Sequence, residues 1–424
     1  MSKNCIVVKS TFKAALLLLI LISETAWGQL RKKVLFLGNS YTAYNNLQQM
    51  VADVALSAGD TVIFGSNTPG GYTLQGHSTD ATSLSLIAAG DWDHVVLQEQ
   101  SQRPSFPISQ VQSSVFPYAR ALDSIAHALN PCVQTVFYMT WGRKNGDASN
   151  CAVWPPVCTY SGMDSLLRLR YMQMATDNDA LVSPAGAVWR HIRLNLPGIE
   201  LYQTDESHPS LAGSYAVACA FYSVLFRKNP NLIAFDAGLD PMIATQIRQA
   251  AKDVAYDSLS TWLVDAYDAQ ANFGYSPSGL QVSFINNSAF ADDFVWDFGD
   301  GATSNLPNPI HQYTAPGNFQ VSLTASNCFS TDVSTSNLNV ISTGWQDVSE
   351  VGALYPNPSG NNLYWKAREG AILQLDIFSL EGICVKSLAY PLPPICIEDL
   401  PAGNYAVRLV FENGVATRYF VKLP

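Results

Sequence analysis

The sequence is short of charge, and of positive charge above all. Charged residues make up 14% of its 424 positions, with 24 Lys and Arg against 34 Asp and Glu, and a formal net charge of −10. A nucleic-acid partner calls for a basic surface, so that class is excluded. No H-E-x-x-H helix, no C-x-x-C pair and no G-x-x-x-x-G-K-[ST] phosphate loop occurs. Asp292, Asp293, Asp297 and Asp300 lie close together but lack the spacing of a calcium loop. After the first 28 residues no apolar run is long enough to span a bilayer, so no transmembrane anchor is expected in the mature chain.

The start of the chain reads as an export signal. Lys3, Lys9 and Lys13 form a basic region, Ala14 to Ile22 is an unbroken apolar run, and Ala26-Trp27-Gly28 is a small-x-small cleavage site. The mature protein is expected to begin near Gln29. Export permits disulfides. Cys151 and Cys158 bracket a short Pro-containing loop and are a plausible bridge, and Cys384 and Cys396 flank another possible hairpin. Cys132 and Cys219 fall in apolar runs, where buried thiols are expected.

Residues 29–271 alternate strand-like and helix-like segments. Val34–Leu37, Thr61–Gly65, His94–Gln98 and Thr135–Thr140 are short apolar runs, with helical patterns near 43–58, 108–129, 163–178, 209–227 and 243–268. That alternation predicts an α/β domain: a three-layer, flavodoxin-like parallel sheet with helices on both faces. Functional groups then belong at the carboxyl ends of the strands. From about residue 272 the pattern changes to short alternating runs with many Asn, Ser, Thr, Pro and Gly, as in two successive β-sandwich domains, 272–343 and 350–424.

The stretch Phe36-Leu37-Gly38-Asn39-Ser40-Tyr41-Thr42 ends a strand by presenting a serine. A serine hydroxyl is a poor nucleophile until a base takes its proton. Among the six histidines, His208 stands in the polar loop Asp205-Glu206-Ser207-His208-Pro209-Ser210, just before an apolar helix. Asp-x-x-His spacing lets one loop carry both carboxylate and imidazole. These two stretches together resemble the SGNH (GDSL-like) hydrolases over about residues 32–228. The resemblance implies Ser40 as nucleophile, His208 as general base and later acid, and Asp205 as the group that orients His208, with no metal and no cofactor. It implies oxyanion donors at the Ser40 backbone N–H and at Gly71, with Gly70 the alternative, in Thr68-Pro69-Gly70-Gly71-Tyr72. The third block departs from the family: Gln98-Glu99-Gln100-Ser101 has no asparagine, so the amide of Gln98 or Gln100 takes that part. Asn39 replaces the family's Asp and is expected to support the loop. Tyr72, His77, Arg103, Trp141 and Arg143 follow probable strand ends and are expected to line the substrate cleft.

Residues 296–327, Trp-Asp-Phe-Gly-Asp-Gly through His311, Tyr313 and Pro316-Gly317, resemble the PKD domain. The segments Leu354-Tyr355-Pro356-Asn357-Pro358, Leu400-Pro401-Ala402-Gly403-Asn404-Tyr405 and the terminal Phe420-Val421-Lys422-Leu423-Pro424 look like the C-terminal sorting domain of the type IX secretion system. These resemblances imply a secreted or surface esterase of a Bacteroidetes-type bacterium. Its expected partners are an acylated carbohydrate substrate and the type IX machinery. The competing expectation is a non-catalytic carbohydrate-binding or adhesive protein on the same scaffold.

Overall fold

The computed structural model describes residues 29–341, 354–365, 372–411 and 414–424. The export signal and the linker near 342–350 lie outside the described residues. The chain divides into two compact units, with the boundary between Tyr267 and Asp268.

The first unit is built on a five-stranded sheet: β1 (Arg31–Leu37), β2 (Thr61–Asn67), β3 (His94–Leu97), β4 (Gln134–Tyr138) and β5 (Leu181–Ser183). The strand order is β2-β1-β3-β4-β5 and every pairing is parallel, the flavodoxin-like arrangement. Val34, Leu35, Phe36 and Leu37 are all completely buried, which only a strand covered on both faces requires. Of the helices, α1 (Ser40–Ala43) is a single turn; α2 (Leu47–Ser57) follows it, and α3 (Leu74–His77), α4 (Ala81–Ile87), α5 (Ile108–Ser114) and α6 (Phe116–Leu129) come in the first half. The second half supplies α7 (Tyr160–Asp177), α8 (Ala185–Asn195), α9 (Leu211–Phe226) and α10 (Pro241–Val254). Helices α2, α8 and α10 pack on α9, while α6 packs on α7, giving the outer layers. Fifteen of the sixteen residues of α9 are buried, so this helix is apolar all round because it is central.

Sheet order places the switch point between β1 and β3: the chain leaves β1 toward β2, then returns to β1's other side. Loops leaving β1 and β3 diverge there, which opens room for a site at the carboxyl edge.

Two of the expected helices are corrected locally, and one strand lies outside the expected set. The 108–129 pattern is two helices, because Val115 leaves helical geometry (φ −126°, ψ −62°) and Pro117 opens the second helix. The 243–268 pattern is helical only to Val254 and continues as tight 3-10 turns over Tyr256–Trp262. Strand β5 escapes periodicity altogether, since three residues make no pattern.

In the second unit, β6 (Phe273–Ser278), β7 (Gln281–Asn286) and β10 (Ile310–Gln312) form one antiparallel sheet. The other sheet of this sandwich holds β8 (Asp293–Asp297), β9 (Thr303–Ser304), β11 (Gly317–Ser326) and β12 (Thr331–Val340). Val282, Phe284, Trp296, Tyr313, Val321 and Leu323 close the core between the two sheets. A further sheet, β15-β14-β17-β18, and the short pair β13-β16 make the last module; its strands are β13 (Asn362–Leu363), β14 (Gln374–Ser379), β15 (Cys384–Ala389), β16 (Ile395–Cys396), β17 (Gly403–Phe411) and β18 (Gly414–Lys422).

The cysteines divide differently from expectation. Cys151 and Cys158 are bridged, with Cα atoms 4.7 Å apart, and Cys219 is a buried thiol. Cys384 and Cys396 are free and exposed, because β15 and β16 belong to different sheets. Cys132 is exposed and disulfide-bonded rather than a buried thiol.

A close approach fixes one glycine of α9. A Cβ on Gly213 would lie 2.3 Å from the Leu201 carbonyl oxygen and 2.5 Å from the Trp189 ring. Gly213→Ala should therefore lower stability by about 1–3 kcal/mol, seen as a lower calorimetric midpoint for one transition of the chain.

Candidate active site

Strand β1 delivers the chain to Gly38, whose missing side chain is a packing requirement. A Cβ there would stand 2.4 Å from the Thr42 hydroxyl and 2.7 Å from Gln98 Oε1. Asn39 then caps α1 in extended geometry, its Oδ1 accepting from the Tyr41 N–H at 3.1 Å. Ser40 is the first residue of that turn.

The second loop comes from the far end of the unit. Asp205 Oδ1 accepts from the backbone N–H groups of Ser207 and His208, each at 3.0 Å. Its Oδ2 faces His208 Nδ1 at 2.5 Å. A carboxylate only accepts, so the ring hydrogen belongs on Nδ1, and the Nε2 lone pair is left for the Ser40 hydroxyl 2.8 Å away. Partial burial raises the Asp205 carboxyl, but the His208 ring and the two backbone donors outweigh it and hold the group below the ordinary carboxylate range.

Aromatic rings fix this meeting. Tyr44 stacks on the His208 ring at 4.3 Å and Tyr41 meets it edge-on at 5.3 Å. Tyr41 also stacks on Trp141, and Trp141 on Trp189 at 3.6 Å. The Trp141 indole donates to the Ser207 carbonyl at 3.1 Å and the Tyr41 hydroxyl pairs with the Ser207 hydroxyl at 2.6 Å. Asn45 Nδ2 reaches the carbonyls of Pro209 and Ser210, tying the serine loop to the start of α9.

The loop after β3 closes the third side. Gln98 is completely buried. Its Oε1 accepts from the Asn39 N–H and the Thr42 hydroxyl; its Nε2 donates to Asn39 Oδ1 and the Glu99 carbonyl. Both amide hydrogens are thus occupied, so Gln98 builds the serine loop and is not free to donate to a substrate oxygen. Gln100 is different. Its Oε1 is pinned by the N–H groups of Gln102 and Arg103, and its Nε2 makes only longer contacts, 3.2 Å to Gln102 and 3.5 Å to Ser101. Gly71 occupies an exposed turn at φ +69°.

Several residues expected at the cleft are elsewhere. His77 is completely buried; its Nε2 must donate to the Gly38 carbonyl at 2.8 Å, so Nδ1 accepts from the Ser83 hydroxyl. Burial pushes its pKa down, outweighing the Gly38 bond. Trp141 is also completely buried, inside the aromatic stack. Both support the loops instead of lining a cleft: Trp141 is sandwiched between Tyr41 and Trp189, and both ring nitrogens of His77 are bonded, to Gly38 and Ser83. Arg103 donates to the Ser114 carbonyl at 3.3 Å, and Tyr72 packs edge-on against His77 at 4.8 Å. Arg143 contacts Asp147, a buried carboxylate that also accepts from Gln102, Ser149 and Asn150.

Sequence reasoning passed over Tyr41, Tyr44, Trp189 and Glu99. Tyr41 and Tyr44 flank the serine, and that proximity was the available signal. Trp189 and Glu99 carry no motif. Among the described residues no group of three or more His, Cys, Asp or Glu is placed to hold a metal ion.

Residues 276–341 match the PKD domain family. No curated protein matches the chain. Among solved structures, the chain is similar to a DUF4886 family protein from Bacteroides uniformis, at 17% identity over 54% of this chain and 95% of that one, TM-score 0.46. It is similar to a candidate SGNH hydrolase from Slackia heliotrinireducens, at 27% identity over 45% and 97%, TM-score 0.38. A psychrotrophic esterase from Pseudoalteromonas, inhibited by monoethylphosphonate, shows 17% identity over 46% and 97%, TM-score 0.34.

Glu99 generates a pH prediction. Burial pushes its carboxyl up to about 7 from an ordinary 4.5, against the Gln100 N–H, the Arg103 charge and the Leu74 N–H. Between these values the folded chain holds a proton that the unfolded chain has released, so stability falls as pH rises. Glu99→Gln lacks this linkage. The melting temperature of Glu99→Gln minus that of the wild type should therefore increase from pH 5 to pH 8, measured by thermal unfolding in matched buffers.

Proposed function

We propose that the chain is a serine ester hydrolase of the SGNH type, acting on O-acyl groups, O-acetyl in the first instance, of a polysaccharide or glycoconjugate. The observation that supports it is the continuous chain from Asp205 Oδ2 through the His208 ring to Ser40 Oγ, with separations of 2.5 and 2.8 Å. Three groups in that order convert a serine into a nucleophile.

Ser40 Oγ attacks the ester carbonyl as His208 Nε2 takes its proton. The oxygen of the tetrahedral intermediate is stabilised by the N–H groups of Ser40 and Gly71 and by the Gln100 amide. His208 returns the proton to the departing sugar oxygen, leaving an acyl group on Ser40. A water, deprotonated by the same nitrogen, then cleaves the acyl-enzyme and releases the acid. Asp205 holds the ring in its tautomer and stabilises the imidazolium formed in each half. No step draws on a metal or cofactor. The PKD domain accords with a glycan setting. Export by the type IX route, to the cell surface or medium, belongs to the same proposal and rests on the sequence features at the two ends of the chain.

Two outcomes are expected with p-nitrophenyl acetate and acetylated xylan. Ser40→Ala should lower kcat by roughly 10⁴-fold or more and abolish labelling by a fluorophosphonate probe. Asp205→Asn should lower kcat by about 10²–10⁴-fold while leaving Ser40 in place. A wild-type chain that neither turns over ester nor takes up the probe would leave the carbohydrate-binding reading standing instead.

A further inference from the structure

We propose that Glu99 is a positioning residue that clips the 68–77 segment to the loops leaving β1 and β3, and so sets the place of the Gly71 N–H assigned above to the oxyanion. This rests on the ester-hydrolase reading above.

Glu99 is completely buried, yet the Ser-His-Asp chemistry does not use it. A carboxyl group is a costly choice for packing alone, because burial penalises its charged form. Its two oxygens face donors from two different loops. Oε1 accepts from the Gln100 N–H at 2.6 Å, after β3; Oε2 accepts from the Leu74 N–H at 3.3 Å, after β2. The Glu99 N–H donates to the Tyr171 hydroxyl at 3.2 Å, which anchors it to α7. Its carbonyl accepts from Asn39 Nδ2 at 3.4 Å and Gln98 Nε2 at 2.6 Å. One residue thereby joins the β3 exit, the segment after β2, the serine loop and α7.

Gly71 needs such support. It is exposed, has a positive φ, and an added Cβ would find no neighbour within 4 Å. Nothing packs on that side of it, so its place is set by anchors downstream. These are Tyr72, whose carbonyl accepts from Asn39 Nδ2 at 2.9 Å; Leu74, held by Glu99; and His77, bonded to the Gly38 carbonyl at 2.8 Å. Asn39 and His77 tie the segment to the β1 exit. Of the three anchors, Glu99 is the one that bonds the segment directly to the β3 exit.

The test uses the full mature chain, p-nitrophenyl acetate turnover and hydrogen exchange. Glu99→Ala removes both acceptors and should lower kcat about 100-fold, the effect of an ångström-scale misplacement, with KM within about twofold of wild type. Glu99→Gln keeps one acceptor and should fall between the two, and its near-identical shape provides a folded variant if the alanine form is unstable. Exchange should accelerate in peptides covering 68–77 and stay unchanged in α9. Wild-type kcat in both variants, a raised KM with unchanged kcat, or faster exchange throughout the unit would each overturn the positioning role. Loss of turnover and of fluorophosphonate labelling in the wild type would instead defeat the hydrolase reading, while the exchange measurement would still decide whether Glu99 holds the segment.

Discussion

Everything at the candidate site depends on bringing two loops, 168 residues apart in the chain, within hydrogen-bond reach. One bond of 2.8 Å could not do this against the entropy of the intervening chain. The work falls to the rings behind it. Tyr41, Trp141 and Trp189 come from the serine loop, the β4 exit and α8, and they stack in sequence. Such pairs contribute roughly 0.5–1.5 kcal/mol each beyond the apolar area they bury. Their polar edges are aimed as well: Trp141 donates to the Ser207 carbonyl and Trp189 to the Gly213 carbonyl, one on each side of His208 in the chain. The imidazole is therefore held by the core rather than by its own loop alone.

A second constraint is that buried polar groups must be satisfied. Asn39 shows how far this is taken. Its Oδ1 accepts from Tyr41 and Gln98, and its Nδ2 donates to the carbonyls of Tyr72 and Glu99. An aspartate could accept the first two but would take this donor from the Tyr72 carbonyl and leave the Glu99 carbonyl with Gln98 Nε2. The amide at this position and the glutamine at 98 form one reciprocal unit, with the Asn39 N–H also donating to Gln98 Oε1. The asparagine in the first loop is thus matched by the glutamine after β3.

Much of the fold was legible along the chain. Val34–Leu37 is a run of buried residues and could only be a central strand. The change of texture near residue 272 lies close to the boundary between the two units. Ser40 and the Asp205–His208 pair stood out because their chemistry is compressed into short stretches. What stayed hidden has local reasons. Strand β5 is three residues long and leaves no period to read. Val115 breaks a helix through its backbone angles, in a sequence that scans as continuous. His77 and Trp141 follow strand ends as cleft residues would, but they are buried by Gly38, Ser83, Tyr41 and Trp189, and that burial is not a property of their own segments.

By itself, then, the sequence determined the alternation of strands and helices, the two β-sandwich modules, and the three side chains proposed for the site. Those are local properties: hydrophobic period, turn composition and residues adjacent in the chain. Tertiary structure decided which polar groups remain available. Gln98 and Gln100 are the same residue type, yet one has both amide hydrogens bonded inside the serine loop, while the amide of the other makes only longer contacts, to Gln102 and Ser101. A side chain's availability depends on what the rest of the fold has already bonded to it, and for Gln98 that partner, Asn39, is 59 residues away.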